Sequence, residues 1–121
     1  MEEVAYLTDE LTHNLDKLER IATLGHNWNG YGAEPLSAKL ILQARNLLYE
    51  LYIQPEIFPT AAGTIQLEYE KDNGDYLEFQ LNKNGRCECF RTFGGNEEYF
   101  YVPEIPETIN DIVEDFYGRS F

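Results

Sequence analysis

Apolar residues recur at helical spacing near both ends of the chain and at alternate positions through its middle. Val4, Leu7, Leu11, Leu15, Leu18 and Ala22 fall every three or four residues with charge between them. That is the stripe of an amphipathic helix, with Gly25 expected to stop it. Pro35 and Ser37 mark a second start, Ser37 as N-cap ahead of Leu40, Ile41, Ala44, Leu47, Leu48 and Leu51. Pro55 lies just beyond that helix, as befits a residue that cannot continue one. The period then drops to two. Ile65, Leu67 and Tyr69 alternate with polar residues from Thr64 to Glu70, and Leu77, Phe79 and Leu81 do so from Tyr76 to Leu81. Asn73-Gly74 and Asn84-Gly85 read as hairpin turns, and further strands follow at Arg86 to Phe93 and Glu97 to Val102, joined across Gly94-Gly95-Asn96. Glu56-Ile57-Phe58 offers a short first strand that Pro59 confines to an edge or an end. Pro106 suits the first turn of a last helix carrying Ile109, Ile112, Val113 and Phe116.

Strands linked by hairpins with one apolar face need a cover, and helices with one apolar stripe supply it. The expectation is a two-layer α+β domain: an antiparallel meander of four to five strands, covered on one face by helices, in the order α-α-β-β-β-β-α. With 121 residues, 43% of them hydrophobic and 26% charged, the chain suits one globular domain spanning 1–121.

Charge narrows the partners. Nine Lys and Arg stand against 22 Asp and Glu, a formal charge of −13. Such a chain repels phosphate backbones and anionic lipid heads, so a basic protein partner is expected, with no direct nucleic acid and no membrane. Solubility alone also accounts for an acidic surface. No apolar run approaches a membrane span, and Met1-Glu2-Glu3 lacks the start of a secretory signal, so the expected location is cytoplasmic. Cys87 and Cys89, two apart in one strand, are badly placed to bridge and read as reduced, core-facing thiols.

Between the two N-terminal helices, Trp28-Asn29-Gly30-Tyr31-Gly32-Ala33-Glu34-Pro35 concentrates two aromatics and two glycines in a loop. Gly30 and Gly32 allow the chain to fold tightly around Trp28 and Tyr31, as a structural plug between the helices or as the wall of a ligand pocket with Glu68. Together with Pro59-Thr60-Ala61-Ala62-Gly63-Thr64-Ile65-Gln66-Leu67-Glu68-Tyr69, this octapeptide resembles a family of small bacterial proteins of no assigned activity. Their shared pattern is W-x-G-Y-G-A-x-P, a helix, then P-T-x-x-G-x-I-x-L-E-aromatic. The chain departs from it at Gly63-Thr64, where two glycines are expected, and at Tyr69, where Trp is common. The resemblance implies accessory proteins of mobile elements or toxin–antitoxin neighbourhoods, and it carries no catalytic role onto Trp28, Tyr31, Gln66 or Glu68.

The polar side of the strands collects Gln66, Glu68, Glu70, Tyr76, Glu78, Gln80 and Glu88, with Arg86 of opposite sign. Paired carboxylates are the equipment of a glycosidase, but nothing singles out a pair here, and a solvated sheet face is the simpler reading. With Tyr76, Phe90 and Phe100 in company, such a face suits a protein interface in which aromatics anchor and carboxylates select a basic partner. Cys87-x-Cys89 with His26 has the wrong spacing for zinc, so neither metal nor cofactor is expected, and His13 reads as a surface residue. Standard phosphate-loop and nucleophile-elbow spacings do not occur.

The sequence therefore points to a non-enzymatic acidic module, antitoxin-, immunity- or inhibitor-like, engaging a basic protein through the sheet face and the Trp28 loop. The alternatives are a small-molecule or peptide pocket around Trp28, Tyr31 and Glu68, possibly enzymatic, and a DNA-mimic inhibitor. If the Glu97 to Val102 strand lies at a sheet edge, it is a site for a homodimer or for strand addition by a partner, with Phe100 at the contact.

Overall fold

The computed structural model describes residues 8–118. Helix α1 spans Asp9–Ala22, capped by the Thr8 side chain, which accepts from Leu11 N at 3.1 Å. Val4 and Leu7, expected in the same helix, lie outside the described residues. The helix ends at Ala22, three residues before Gly25: its C-cap Thr23 donates through both its backbone N–H and its hydroxyl to Arg20 O, at 3.1 and 2.7 Å. Its buried stripe is Leu11, Asn14, Leu18 and Ile21, and Ala22 is exposed. Helix α2, Ala38–Glu50, begins at Ser37 as expected, with Ser37 Oγ accepting from Leu40 N at 3.1 Å. Helix α3, Pro106–Tyr117, takes Pro106 in its first turn and stops at Gly118, whose φ of 69° forms a left-handed cap.

Five strands lie between α2 and α3: β1 Glu56–Pro59, β2 Ile65–Glu70, β3 Tyr76–Leu81, β4 Arg86–Phe93 and β5 Asn96–Pro103. They form one antiparallel sheet in the order β1-β2-β3-β4-β5. The short Glu56 segment is thus a fifth strand at one edge, ending on Pro59 as its lack of an N–H requires.

Alternation decides which side of each strand is buried. Ile57, Ile65, Leu67, Leu77, Phe79, Leu81, Cys87 and Cys89 share one core with Leu40, Leu48, Ile109, Val113 and Phe116 from the helices. With Leu11, Leu18 and Ile21 of α1 in the same cluster, all three helices cover the same face, and no described element covers the opposite one. The connection from α2 to β1 is pinned by buried amides. Asn110 on α3 donates to Glu50 O at 2.9 Å and accepts from Tyr52 N at 3.1 Å, while Asn14 on α1 donates to Pro55 O at 2.8 Å and Gln54 Oε1 at 3.0 Å. Buried amides are kept only where such partners exist. Among the described residues no helix is long and apolar enough to cross a membrane.

Candidate functional site

The open face is built by strand register. Opposed residues on neighbouring strands share a face, so the pairings place side chains in rows across the sheet. One row runs Glu56, Glu68, Glu78, Phe90, Tyr99, and the next runs Phe58, Gln66, Gln80, Glu88, Tyr101. Three carboxylates from three consecutive strands thus stand side by side, at the separation of directly opposed residues. Glu56 completes this row, although nothing beyond the parity set by Ile57 marks it in the sequence.

Neutral donors hold the row together. Tyr76 Oη donates to Glu78 Oε1 at 2.8 Å, and Gln66 Nε2 donates to Glu68 Oε2 at 2.8 Å. Partial burial, then the hydrogen bonds to Glu78 and Glu68, push the Tyr76 hydroxyl well above its ordinary pKa, so it remains a donor. In the second row Tyr101 Oη donates to Glu88 Oε1 at 3.3 Å. The neighbouring Glu88 carboxylate, then partial desolvation, likewise raise the Tyr99 hydroxyl, to about 12. Tyr99 and Tyr101 meet edge to face with centroids 6.0 Å apart, and the Arg86 guanidinium lies over the Tyr101 ring at 4.2 Å.

Two of the cations near the sheet, Arg91 and Lys71, are engaged away from the row. Arg91 is opposite Leu77, on the helix side, where it bridges Glu98 at 3.1 Å and Asp115 at 3.3 Å. Lys71 donates to Phe116 O at 3.1 Å and pairs with Asp75 at 3.6 Å. At the β1 edge the row opens into a cleft of about 370 Å³ lined by Gln54, Glu56, Glu68, Tyr69, Glu70 and Tyr117.

Phe100 does not join this face. It is opposite Cys89, on the helix side, where it packs half-buried against the core with Arg91 5.6 Å from its ring centroid. Its grouping with Tyr76 and Phe90 is corrected by register; the exposed aromatics of the open face near β5 are Tyr99 and Tyr101. The parity of β5 was readable, but which parity meets the helices was not.

The Trp28 loop connects α1 to α2 and makes its own framework. Asn27, at a φ of 62°, donates its N–H to Ala33 O at 2.6 Å and accepts from Gly32 N through Oδ1 at 2.6 Å. Asn29 Oδ1 accepts from Tyr31 N and Ala33 N. Gly30 and Gly32 take φ values of 80° and 84°, the left-handed angles expected of them. Trp28 Nε1 donates to Glu34 O at 2.9 Å, with its ring half-buried and outside the core cluster. Tyr31 is 92% exposed, so it plugs nothing. No hydrogen bond or ion pair among the described residues links the loop to Glu68. The structure brings Gln66, Glu68, Tyr76, Glu78 and Glu88 together, and among the described residues no hydrogen bond or ion pair joins Trp28 or Tyr31 to them.

Cys87 and Cys89 are buried and unbridged, and desolvation raises both thiols to about 12. Among the described residues no group of His, Cys, Asp and Glu is placed to hold a metal. No protein-family model, curated protein or solved structure matches the chain.

Proposed function

We propose that this protein is a non-enzymatic binding module whose open sheet face engages a basic protein, in the manner of an antitoxin, immunity protein or inhibitor. The observation that carries the reading is the row Glu56, Glu68 and Glu78, contiguous with Glu88 and the exposed rings of Tyr99 and Tyr101. Like charges set directly opposite one another cost stability, and a cationic partner turns that cost into affinity. Tyrosines beside them provide apolar area at small entropic cost. A cytoplasmic setting, in which Cys87 and Cys89 stay reduced, belongs to the same proposal.

The test is capture from a host lysate by the wild-type protein and by the combined Glu68→Gln, Glu78→Gln, Glu88→Gln variant. A stoichiometric basic partner should be retained by the first and lost by the second. Its association rate with the wild type should fall steeply with ionic strength, as steered encounters do. An association rate independent of salt, or equal for both proteins, overturns the reading. A nucleic-acid-binding partner displaced by DNA would make the face a mimic of phosphate.

A further inference from the structure

The open face continues through Glu88 and Phe90 of β4 to β5, whose outer edge has no strand partner among the described residues. Its backbone groups can be assigned a direction. The β4–β5 turn contains two residues, Gly94 and Gly95, with φ of 56° and 87°, and is closed by the pair Phe93 and Asn96. A closing pair of this kind exchanges both of its hydrogen bonds, and bonded and non-bonded pairs alternate from there. Glu98, Phe100 and Val102 therefore bond inward to β4, while Glu97, Tyr99 and Tyr101 present N–H and C=O outward. Two neighbours agree with that parity. Glu104 N donates inward to Gly85 O at 3.0 Å, and Pro103, which has no N–H to offer, falls on an outward position.

The other edge is closed to such use. β1 has four residues, ends on Pro59, and is overlaid by Lys17 of α1, whose Nζ is 4.1 Å from the Phe58 ring centroid. β5 has eight residues, no covering helix among the described residues, and Tyr99 and Tyr101 exposed by 59% and 51%.

Resting on the functional reading above, we propose that the basic partner docks by adding an extended segment antiparallel to β5, with cationic residues at alternate positions. Residues opposite Glu97, Tyr99 and Tyr101 would share the open face. There they meet the Glu97 and Glu88 carboxylates and two tyrosine rings, one of which already carries a guanidinium. The intervening residues meet Phe100 on the helix side and are apolar. A second copy of this chain is a poor occupant, because it brings Glu97 and Glu98 to the same edge and a charge of −13 with them. Acidic residues on the edge thus discourage self-pairing and favour a cationic strand.

A capped heptapeptide of alternating Lys and Val, beginning and ending with Lys, is the probe. Two derivatives of identical charge carry backbone N-methyl groups, one on the inner lysines and one on the valines. In antiparallel docking the lysine N–H groups face β5 and the valine N–H groups face solvent. Methylated lysines should weaken binding at least about tenfold and methylated valines should leave it unchanged. The amides of Glu97, Tyr99 and Tyr101 should exchange rapidly with solvent in the free protein and slow about tenfold or more with the unmodified peptide. Any other ranking of the three peptides overturns strand addition. Equal binding by all three, lost in the Glu68→Gln, Glu78→Gln, Glu88→Gln variant, would do so while leaving the acidic-face reading standing. A dimer by light scattering, with these amides already protected in the free protein, would give the edge to a second copy and also overturn the proposal.

Discussion

Glu68 and Glu78 face each other directly across β2 and β3, and the Tyr76 hydroxyl, 2.8 Å from Glu78, is held protonated by both. Opposed like charges in this geometry are destabilising. Glu68→Gln should therefore raise stability by about 0.2–1 kcal/mol at low ionic strength. The gain should shrink as salt screens the pair. Urea denaturation at two salt concentrations measures it, and a loss of stability at both would mean that the carboxylates do not repel.

Trp28 is half-buried and keeps one hydrogen bond, to Glu34 O. Trp28→Ala should cost about 1–3 kcal/mol, less than the roughly 3–5 of a fully buried aromatic truncation. Trp28→Phe, which retains ring area and loses the donor, should cost about 1 kcal/mol. Circular dichroism is the suitable probe, since Trp28 is the chain's one tryptophan.

Asn110 joins α3 to the segment between α2 and β1 through Glu50 O and Tyr52 N. Asn110→Ala leaves both backbone groups without that partner and should cost about 2–4 kcal/mol. Hydrogen exchange at Tyr52 should speed up more than exchange in the sheet, because the lost bond is local.

Among the described residues Glu104 is the one carboxylate whose burial raises its pKa, opposed in part by the hydrogen bond from Gln43 Nε2 at 2.9 Å. The Oε1 atoms of both Glu104 and Gln43 are buried without a partner. A carboxyl whose folded pKa lies above its unfolded value binds more protons when folded, so its contribution is full below the unfolded pKa. It is lost as pH rises through the folded pKa. Glu104→Gln supplies a permanent N–H for the Gln43 oxygen and removes the buried charge. It should raise the melting temperature near neutral pH by about 3–6 °C, for a gain of about 1 kcal/mol. The gain should fade below the ordinary carboxylate range; a constant gain down to acid pH would refute the assignment.

Burial and a thiol pKa of about 12 make Cys87 and Cys89 poor nucleophiles in the folded protein. Alkylation at mildly alkaline pH should track global unfolding, with both sites labelled together in increasing urea. Rapid labelling of either thiol in the native protein would contradict their placement.

The elements themselves were legible from local rules. Ser37 capped α2, Pro106 opened α3, and period-two alternation fixed β2, β3 and β4 with Cys87 and Cys89 inward, because each depends on neighbours within a few residues. The first helix ended at Ala22 with Thr23 as its C-cap, short of the Gly25 that the spacing suggested, and the Thr23 N–H and hydroxyl both bond back to Arg20 O there.

Tertiary structure decided what stands beside what. Register aligned Glu56, Glu68 and Glu78 into a row, and it turned Phe100 toward the helices, because Phe100 pairs with Cys89. Asn14 and Asn110 gave no signal at all, their value lying in partners 40 to 60 positions away. Cross-strand register and helix placement are set by the summed burial of residues distant in sequence, and no local pattern encodes such a sum.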